Sequence, residues 1–264
     1  MTRLRLGVVL ATLVLASALV GPWLMPHDPI RPNYGARYEA PSARHWFGTD
    51  GLGRDVLARS LAGGRVSLSI ALGATLAALS IGLVAGLAAA AWRGLTDIVL
   101  TRAFDALLAF PGFLLVLLLV SALGGGVWQS LLALAVAGSP LYFRLVRAFT
   151  QAELKRDYVL AGAALGASRG RLLLRHALPN FVGALAVQAA STAATFVLVE
   201  ASLSYLGLGV ALPTPSWGNV LQDARSYLTR QPWAAVGPGL VLACAALALQ
   251  FLSDGWRDTL DRRA

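Results

Sequence analysis

Five residues, Gly166-Ala167-Ser168-Arg169-Gly170, fit the pattern G-x-S-x-G, the turn that presents a serine nucleophile above an α/β sheet. That chemistry needs a strand before the turn, a helix after it and a base within reach of the hydroxyl. Alanine and arginine dominate both flanks, and no stretch is left over to build a sheet. The three histidines, His27, His45 and His176, fall in polar segments, so none serves a serine inside the apolar runs. H-E-x-x-H is absent, so a zinc peptidase is unsupported. Lys155, the only lysine, follows Ala152-Glu153-Leu154 and not a glycine-rich phosphate loop. If ATP drives this protein, another subunit must hydrolyse it.

A non-covalent role fits the remaining polar residues better. Gln188, Ser191, Thr192 and Thr195 fall at i, i+3, i+4 and i+7 in an otherwise apolar run and so share one helix face. Such a stripe is unfavourable against lipid. It either packs against another helix or lines a water-filled path. Glu200 closes the run, roughly 120° around the helix from the stripe at about 100° per residue, and reads as an interface or subunit-contact group. Arg102 and Asp105, three residues apart, can pair with each other.

The elements that carry these residues are set by composition. The chain has 264 residues, 57% hydrophobic and 13% charged. That charged fraction is about half that of an ordinary soluble domain. The mean hydropathy is +0.66. Six spans of about 20 residues would use about 120 residues and leave the rest for loops, so the expected fold is an all-α polytopic membrane protein with six transmembrane helices. The expected spans are Leu6–Met25, Val66–Trp92, Ala103–Leu123 kinked at Pro111, Val127–Phe143 broken at Pro140, Phe181–Val199 and Ala234–Leu252. Arg3 and Arg5 before the first run, with Ala16-Ser17-Ala18 inside it, also suit a signal peptide. The near-full length of the run and the spans that follow favour an uncleaved first span. Gly82 and Gly86 have the small-xxx-small spacing of close helix packing. Arg93–Arg102 reads as a polar turn, Gly124-Gly125-Gly126 as a tight turn, and Gly51–Leu61 as a weak helix capped by Thr49 or Asp50. Cys244 is the single cysteine, so no intrachain disulfide forms.

The net charge of +9 would suggest nucleic acid on a soluble protein. Here it is explained by basic residues flanking spans on the cytoplasmic side, and no nucleic-acid partner is expected. With both termini inside, that side carries 14 of the 22 Lys and Arg residues: Arg3, Arg5, Arg93, Arg102, seven between Arg144 and Asn180, Arg257, Arg262 and Arg263. The expected organisation is a first helix plus extracytoplasmic segment (1–65), a five-helix core (66–254) with a cytoplasmic loop at 144–180, and a cytoplasmic tail (255–264). Residues 202–233 form a second extracytoplasmic loop.

The 144–180 loop reads Tyr158-Val159-Leu160-Ala161-Gly162-Ala163-Ala164-Leu165-Gly166-Ala167-Ser168, then Arg175-His176-Ala177-Leu178-Pro179-Asn180. This resembles the EAA loop of bacterial ABC-importer permeases. His45-Trp46-Phe47-Gly48-Thr49-Asp50 through Gly53-Arg54-Asp55, Ala109-Phe110-Pro111, Glu200 to Gly209, and Pro213-Thr214-Pro215-Ser216-Trp217-Gly218 are similar to stretches of the DppC/OppC-type permeases, so the likeness runs from about residue 45 to 260. It implies the type I ABC-importer permease fold in a bacterial cytoplasmic (inner) membrane, importing di- or oligopeptides, nickel or a related small solute. It also implies a homologous second permease, two cytoplasmic ATPase subunits that bind ATP and Mg, and an extracytoplasmic substrate-binding protein. This chain would hold no cofactor, metal or catalytic residue. Tyr158, Leu160, Ala161, Gly162, Leu165, Gly166 and Ala167 would form the coupling segment that docks on an ATPase, and Gln188, Ser191, Thr192 and Thr195 are the candidate pathway. Leu160 stands where the family usually has Glu, and Gly162 where it has its second Ala. A self-sufficient channel or secondary transporter is the alternative. It would need titratable groups at the midplane, and the spans offer almost none.

Overall fold

The computed structural model describes residues 2–92 and 94–261. Arg93, Arg262 and Arg263, which enter the charge count above, lie outside the described residues. Among those described, the only extended pairing is an isolated bridge between Thr49 and Asp55; the rest is helix and loop. In chain order the helices are α1 (Thr2–Leu24), α2 (Val56–Ala91), α3 (Leu95–Leu108), α4 (Gly112–Leu123), α5 (Val127–Glu153), α6 (Asp157–Ala164) and α7 (Arg169–Arg171). A π-helical stretch, Leu172–Ala177, leads from α7 into α8 (Leu178–Tyr205), α9 (Trp217–Arg225) and α10 (Trp233–Asp261) follow, and a single 3-10 turn, Tyr34–Ala36, lies in the loop after α1.

Among the described residues, five helical runs are long and apolar enough to cross a bilayer: Leu4–Leu24 of α1, α2, α5, Arg169–Tyr205 and Trp233–Leu260 of α10. The pair α3 and α4 makes a sixth only if taken as one span, because the two meet at 91°. The expected kink at Pro111 is therefore a full break. Proline has no N–H to donate, and it pushes the residue before it out of the helical region. The expected polar turn at 93–102 is also corrected, since α3 begins at Leu95.

Pro140 has the opposite outcome. α5 runs unbroken through it for 27 residues. The carbonyl that a proline at this position would orphan is that of Val136, and the Ser139 hydroxyl donates to it at 2.8 Å. A serine one residue before the proline thus restores the hydrogen bond that the ring removes.

Close packing of α2 on α5 forms the centre of the bundle, and glycine permits it. A Cβ on Gly82 would stand 2.7 Å from the Phe143 nitrogen and 2.9 Å from the Ser139 carbonyl oxygen; one on Gly86 would stand 2.8 Å from Val146 Cβ. The small-xxx-small spacing is therefore a helix contact. Ile70, Ala71, Ala74 and Ala78 of α2 and Leu134, Tyr142 and Val146 of α5 are fully buried around it. Gly82→Ala should lower the thermal unfolding midpoint in detergent. Overpacking costs about 1–3 kcal/mol and outweighs the gain in helix propensity of up to about 1 kcal/mol. A raised midpoint would show that the backbones are not in contact. α1 joins the bundle by a similar approach to α10, where a Cβ on Gly7 would lie 2.6 Å from the Leu252 nitrogen.

α2 has 36 residues, or about 54 Å at 1.5 Å per residue. The hydrocarbon core is about 30 Å thick, so this helix projects well beyond it. Its cap is Asp55, whose carboxylate accepts the Ala58 N–H at 2.7 Å. That corrects the expected cap at Thr49 or Asp50. Asp50 instead closes the preceding turn by accepting the Leu52 and Arg54 N–H groups at 2.8 and 3.0 Å. The segment 56–61 is the first part of α2 and not a separate weak helix.

Candidate coupling and transport site

α6 is short because Gly166 ends it. Gly166 has φ +83°, its N–H bonds the Ala163 carbonyl at 3.0 Å, and the Ala167 N–H reaches back to Gly162 at 3.1 Å. This pair of bonds is the Schellman termination, which places glycine at the left-handed position. Val159 is the inward anchor, fully buried against the π-helical stretch. The outward side is apolar: Leu160 is 54% exposed and Leu165 is 89% exposed, with Ala161 and Gly166 exposed beside them and Gly162 and Ala167 half-buried. A Cβ on Gly162 would meet Leu172 Cδ2 at 3.1 Å, so glycine at this position lets α6 lie closer to the helix beneath it.

A polar clamp holds α6 in place. Asn180 Nδ2 donates to the Tyr158 hydroxyl at 2.6 Å, to Glu153 Oε2 at 3.1 Å and to the His176 carbonyl at 3.0 Å. Tyr158 donates to Glu153 Oε2 at 2.5 Å, a bond that raises its phenol above the ordinary value. The clamp ties the end of α5 to α6 and to the start of α8. Below it, the π-helical stretch leads into Pro179, and the Leu178 N–H bonds Leu173 five residues back. A cavity of about 540 Å³ lies between α6 and the end of α2, lined by Ala90, Trp92, Val159, Leu160, Arg169 and Leu172.

Ser168 sits at the N-cap of α7, where its hydroxyl accepts the Arg171 N–H at 3.4 Å. No strand precedes it among the described residues, so it lacks the setting of a nucleophile elbow.

The four stripe residues do share a face of α8, but they do not share one environment. Thr192 is buried beside the Tyr142 hydroxyl, and Gln188 Nε2 donates to its hydroxyl at 3.4 Å. Ser191 and Gln188 are half-buried, and Thr195 is exposed. Gln188 also lines a cavity of about 300 Å³ with Leu145, Phe149 and Arg257. One edge of the stripe thus packs against α5 while the other opens outward.

Two expected roles are corrected. Glu200 is no interface group, because it is 0% exposed. α8 continues five residues past it to Tyr205, so Ser204 donates back to its carboxylate at 2.8 Å and Ser67 of α2 lies against it. The Ser204 oxygen also accepts the Val210 N–H at 3.0 Å, which fixes the loop after α8. Asp105 pairs with Arg144 of α5 at 2.7 Å and not with Arg102. One turn along α5, Arg147 holds Asp97 through two bonds of 2.6 and 2.7 Å. These pairs fasten α3 to α5.

The sequence reading missed a charged cluster at the other end of α2. Arg54 bonds Asp50 at 2.7 Å and Asp223 of α9 at 3.0 Å. Arg59, completely buried, bonds Asp223 at 2.8 Å and approaches Asp50 at 3.6 Å. Burial raises the Asp223 carboxyl above its ordinary range, and Arg59 and Arg54 pull against that shift. The spacing of Asp50, Arg54 and Asp55 is visible in the sequence, but Asp223 lies 164 residues beyond Arg59 and nothing local marks it as their partner.

Residues 62–264 match the family described as the inner membrane component of binding-protein-dependent transport systems. The chain is 35% identical over 255 residues to the dipeptide transport system permease protein DppC of Alkalihalophilus pseudofirmus, covering 97% of this chain and 84% of that one. It is 38% identical over 261 residues to the di/tripeptide transport system permease protein DppC of Pseudomonas aeruginosa, covering 97% and 86%. A provisionally named peptide permease protein of Brucella suis is 40% identical over 260 residues, covering 98% and 86%.

Proposed function

This chain belongs to the family of inner membrane components of binding-protein-dependent transport systems, and from that premise we propose that it is the permease subunit of an ATP-driven importer of di- or oligopeptides. The names of its relatives favour peptides over the nickel that the motif resemblance also admits. The partners in this reading are a homologous second permease, two cytoplasmic ATPase subunits that bind ATP and Mg, and an extracytoplasmic binding protein. The arginine distribution supports cytoplasmic termini. That puts α6 in the cytoplasm and the 26–65 and 202–233 segments on the far side.

The observation that carries the mechanism is the α6 tip. Its apolar outer side, with Leu165 89% exposed, stands on a polar clamp that ties it to the ends of α5 and α8. Closure of the ATPase pair pushes on α6, and the clamp passes that movement to α5 and α8 together. The two permeases then rock between inward- and outward-open states, with the open edge of the α8 stripe lining part of the path. No covalent chemistry takes place in this chain. Purification of the tagged chain from its native membrane in mild detergent, followed by mass spectrometry, tests the assembly. A second permease and ATPase subunits should co-purify; a chain that emerges alone and still moves solute in liposomes without ATP would be a self-sufficient transporter.

The pathway assignment has its own test. In a Cys244→Ala background, Ser191→Cys and Thr195→Cys should react with a charged, membrane-impermeant thiol reagent. Leu198→Cys, on an exposed apolar position of α8, should not. If the stripe positions are as unreactive as Leu198→Cys, the stripe is a helix-packing surface.

A further inference from the structure

At the α2 end remote from α6, the loop after α1 brings His27 and His45 onto Asp55. Asp55 Oδ2 lies 2.8 Å from His45 Nδ1 and 3.7 Å from His27 Nδ1. The imidazole centroids are 4.5 Å apart, and one ligand atom from each of the three residues falls within 4.8 Å of the other two. We propose that His27, His45 and Asp55 form a binding site for a divalent transition-metal ion of the zinc class, completed by water.

The donor set and its geometry carry this assignment. Two imidazole nitrogens and one carboxylate oxygen suit zinc and its neighbours, whereas calcium and magnesium take oxygen ligands. In a tetrahedral site with bonds of about 2.0–2.1 Å, ligand atoms sit about 3.3 Å apart. The observed separations of 2.8 and 3.7 Å bracket that value, so small side-chain rotations bring both nitrogens and the oxygen into place. Asp55 is held for the purpose. Its Oδ1 accepts the Ala58 N–H at 2.7 Å, which fixes the carboxylate and turns Oδ2 to the two rings. Behind His45, its Nε2 lies 3.9 Å from Glu39 Oε2, where a second carboxylate can orient a metal-bound imidazole. His45 and Asp55 are buried, at 3% and 4% exposure. On the open side a cavity of about 350 Å³, bordered by Asp28, Arg31 and Asn33, has room for the remaining water ligand. A bound ion would pin the loop from Pro26 to His45 to the cap of α2.

Calorimetric titration of the full chain with Zn²⁺, in detergent and carrying a tag free of histidine, tests the site. One ion per chain should bind, and His27→Ala should weaken binding at least tenfold. His27 is half-buried at the cavity edge, so alanine there leaves the fold standing. His176→Ala, at the α6 end, should change nothing. Zn²⁺ should raise the unfolding midpoint of the native chain but not that of His27→Ala, and Co²⁺ should give the visible absorption of a tetrahedral site. If the native chain binds Zn²⁺ no better than His27→Ala, the proposal fails, and His45 and Asp55 are a hydrogen-bonded pair only.

Discussion

Gly166→Trp should leave the assembled transporter hydrolysing ATP while peptide uptake falls at least about tenfold, the equivalent of about 1.4 kcal/mol of lost coupling. Gly166 occupies a left-handed position with φ +83°, so any side chain there costs about 1–2 kcal/mol in backbone strain. That strain alone does not distinguish a folding defect from a docking defect, but the surroundings do. A Cβ at Gly166 meets nothing within 4 Å in this chain. The indole would therefore stand out beside Leu165, on the side of α6 where the ATPase is proposed to sit, without disturbing the bundle. Gly166→Ala provides the comparison, since it carries the strain without the bulk and should keep most of the uptake. Measuring hydrolysis and uptake on the same reconstituted complex separates the cases. An unchanged ratio of uptake to hydrolysis in Gly166→Trp would remove α6 as the coupling element.

Arg59→Met should cause the largest loss of stability of any single substitution considered. Arg54, Arg59, Asp50 and Asp223 form a neutral cluster of two cations and two anions. Arg59 is 0% exposed, and its Nη1 has no hydrogen-bond partner among the described residues. Its compensation rests on Asp223 at 2.8 Å and Asp50 at 3.6 Å. Removing one member of such a group leaves an uncompensated charge and costs about 3–5 kcal/mol. The double variant Arg59→Met with Asp223→Asn restores neutrality, so it should be more stable than the sum of the single losses implies, by more than about 0.5 kcal/mol. Unfolding midpoints of the two singles and the double, compared in one detergent, give the answer. Strict additivity would mean that Arg59 and Asp223 are not energetically coupled, and that α9 is held to α2 by its other contacts, among them the Trp217 indole N–H donated to the Ser60 carbonyl at 3.0 Å.

Hydropathy placed the long helices well, because a run of about 20 apolar residues has few other uses. It could not decide what a proline inside a run would do. Pro111 and Pro140 give the same signal, yet one breaks its helix at 91° and the other is spanned by α5. Ser139 decides the second case, through a hydroxyl aimed at the one carbonyl that Pro140 orphans. Helix ends were similarly open to error. Ending the fifth span at Val199 made Glu200 a boundary residue, whereas α8 continues through it and buries it. Pairing by local spacing also failed for Arg102 and Asp105, because Arg144 of a neighbouring helix reaches Asp105 at 2.7 Å. The motif marked the segment that forms α6, but gave no sign of the clamp beneath it. Glu153, Tyr158 and Asn180 are spread over 28 residues and meet only because α5 ends where α6 and α8 begin. The same is true of His27, His45 and Asp55, which no sequence spacing marks as neighbours.

In the proposed function, this chain carries peptides across the membrane only when its partners hydrolyse ATP. The direct measurement is uptake of a radiolabelled dipeptide into proteoliposomes holding the co-purified complex, with binding protein outside and ATP inside. Uptake should require both ATP and the binding protein, and should vanish when the ATPase subunits are omitted. Uptake that persists in liposomes containing this chain alone, without ATP, would contradict the account.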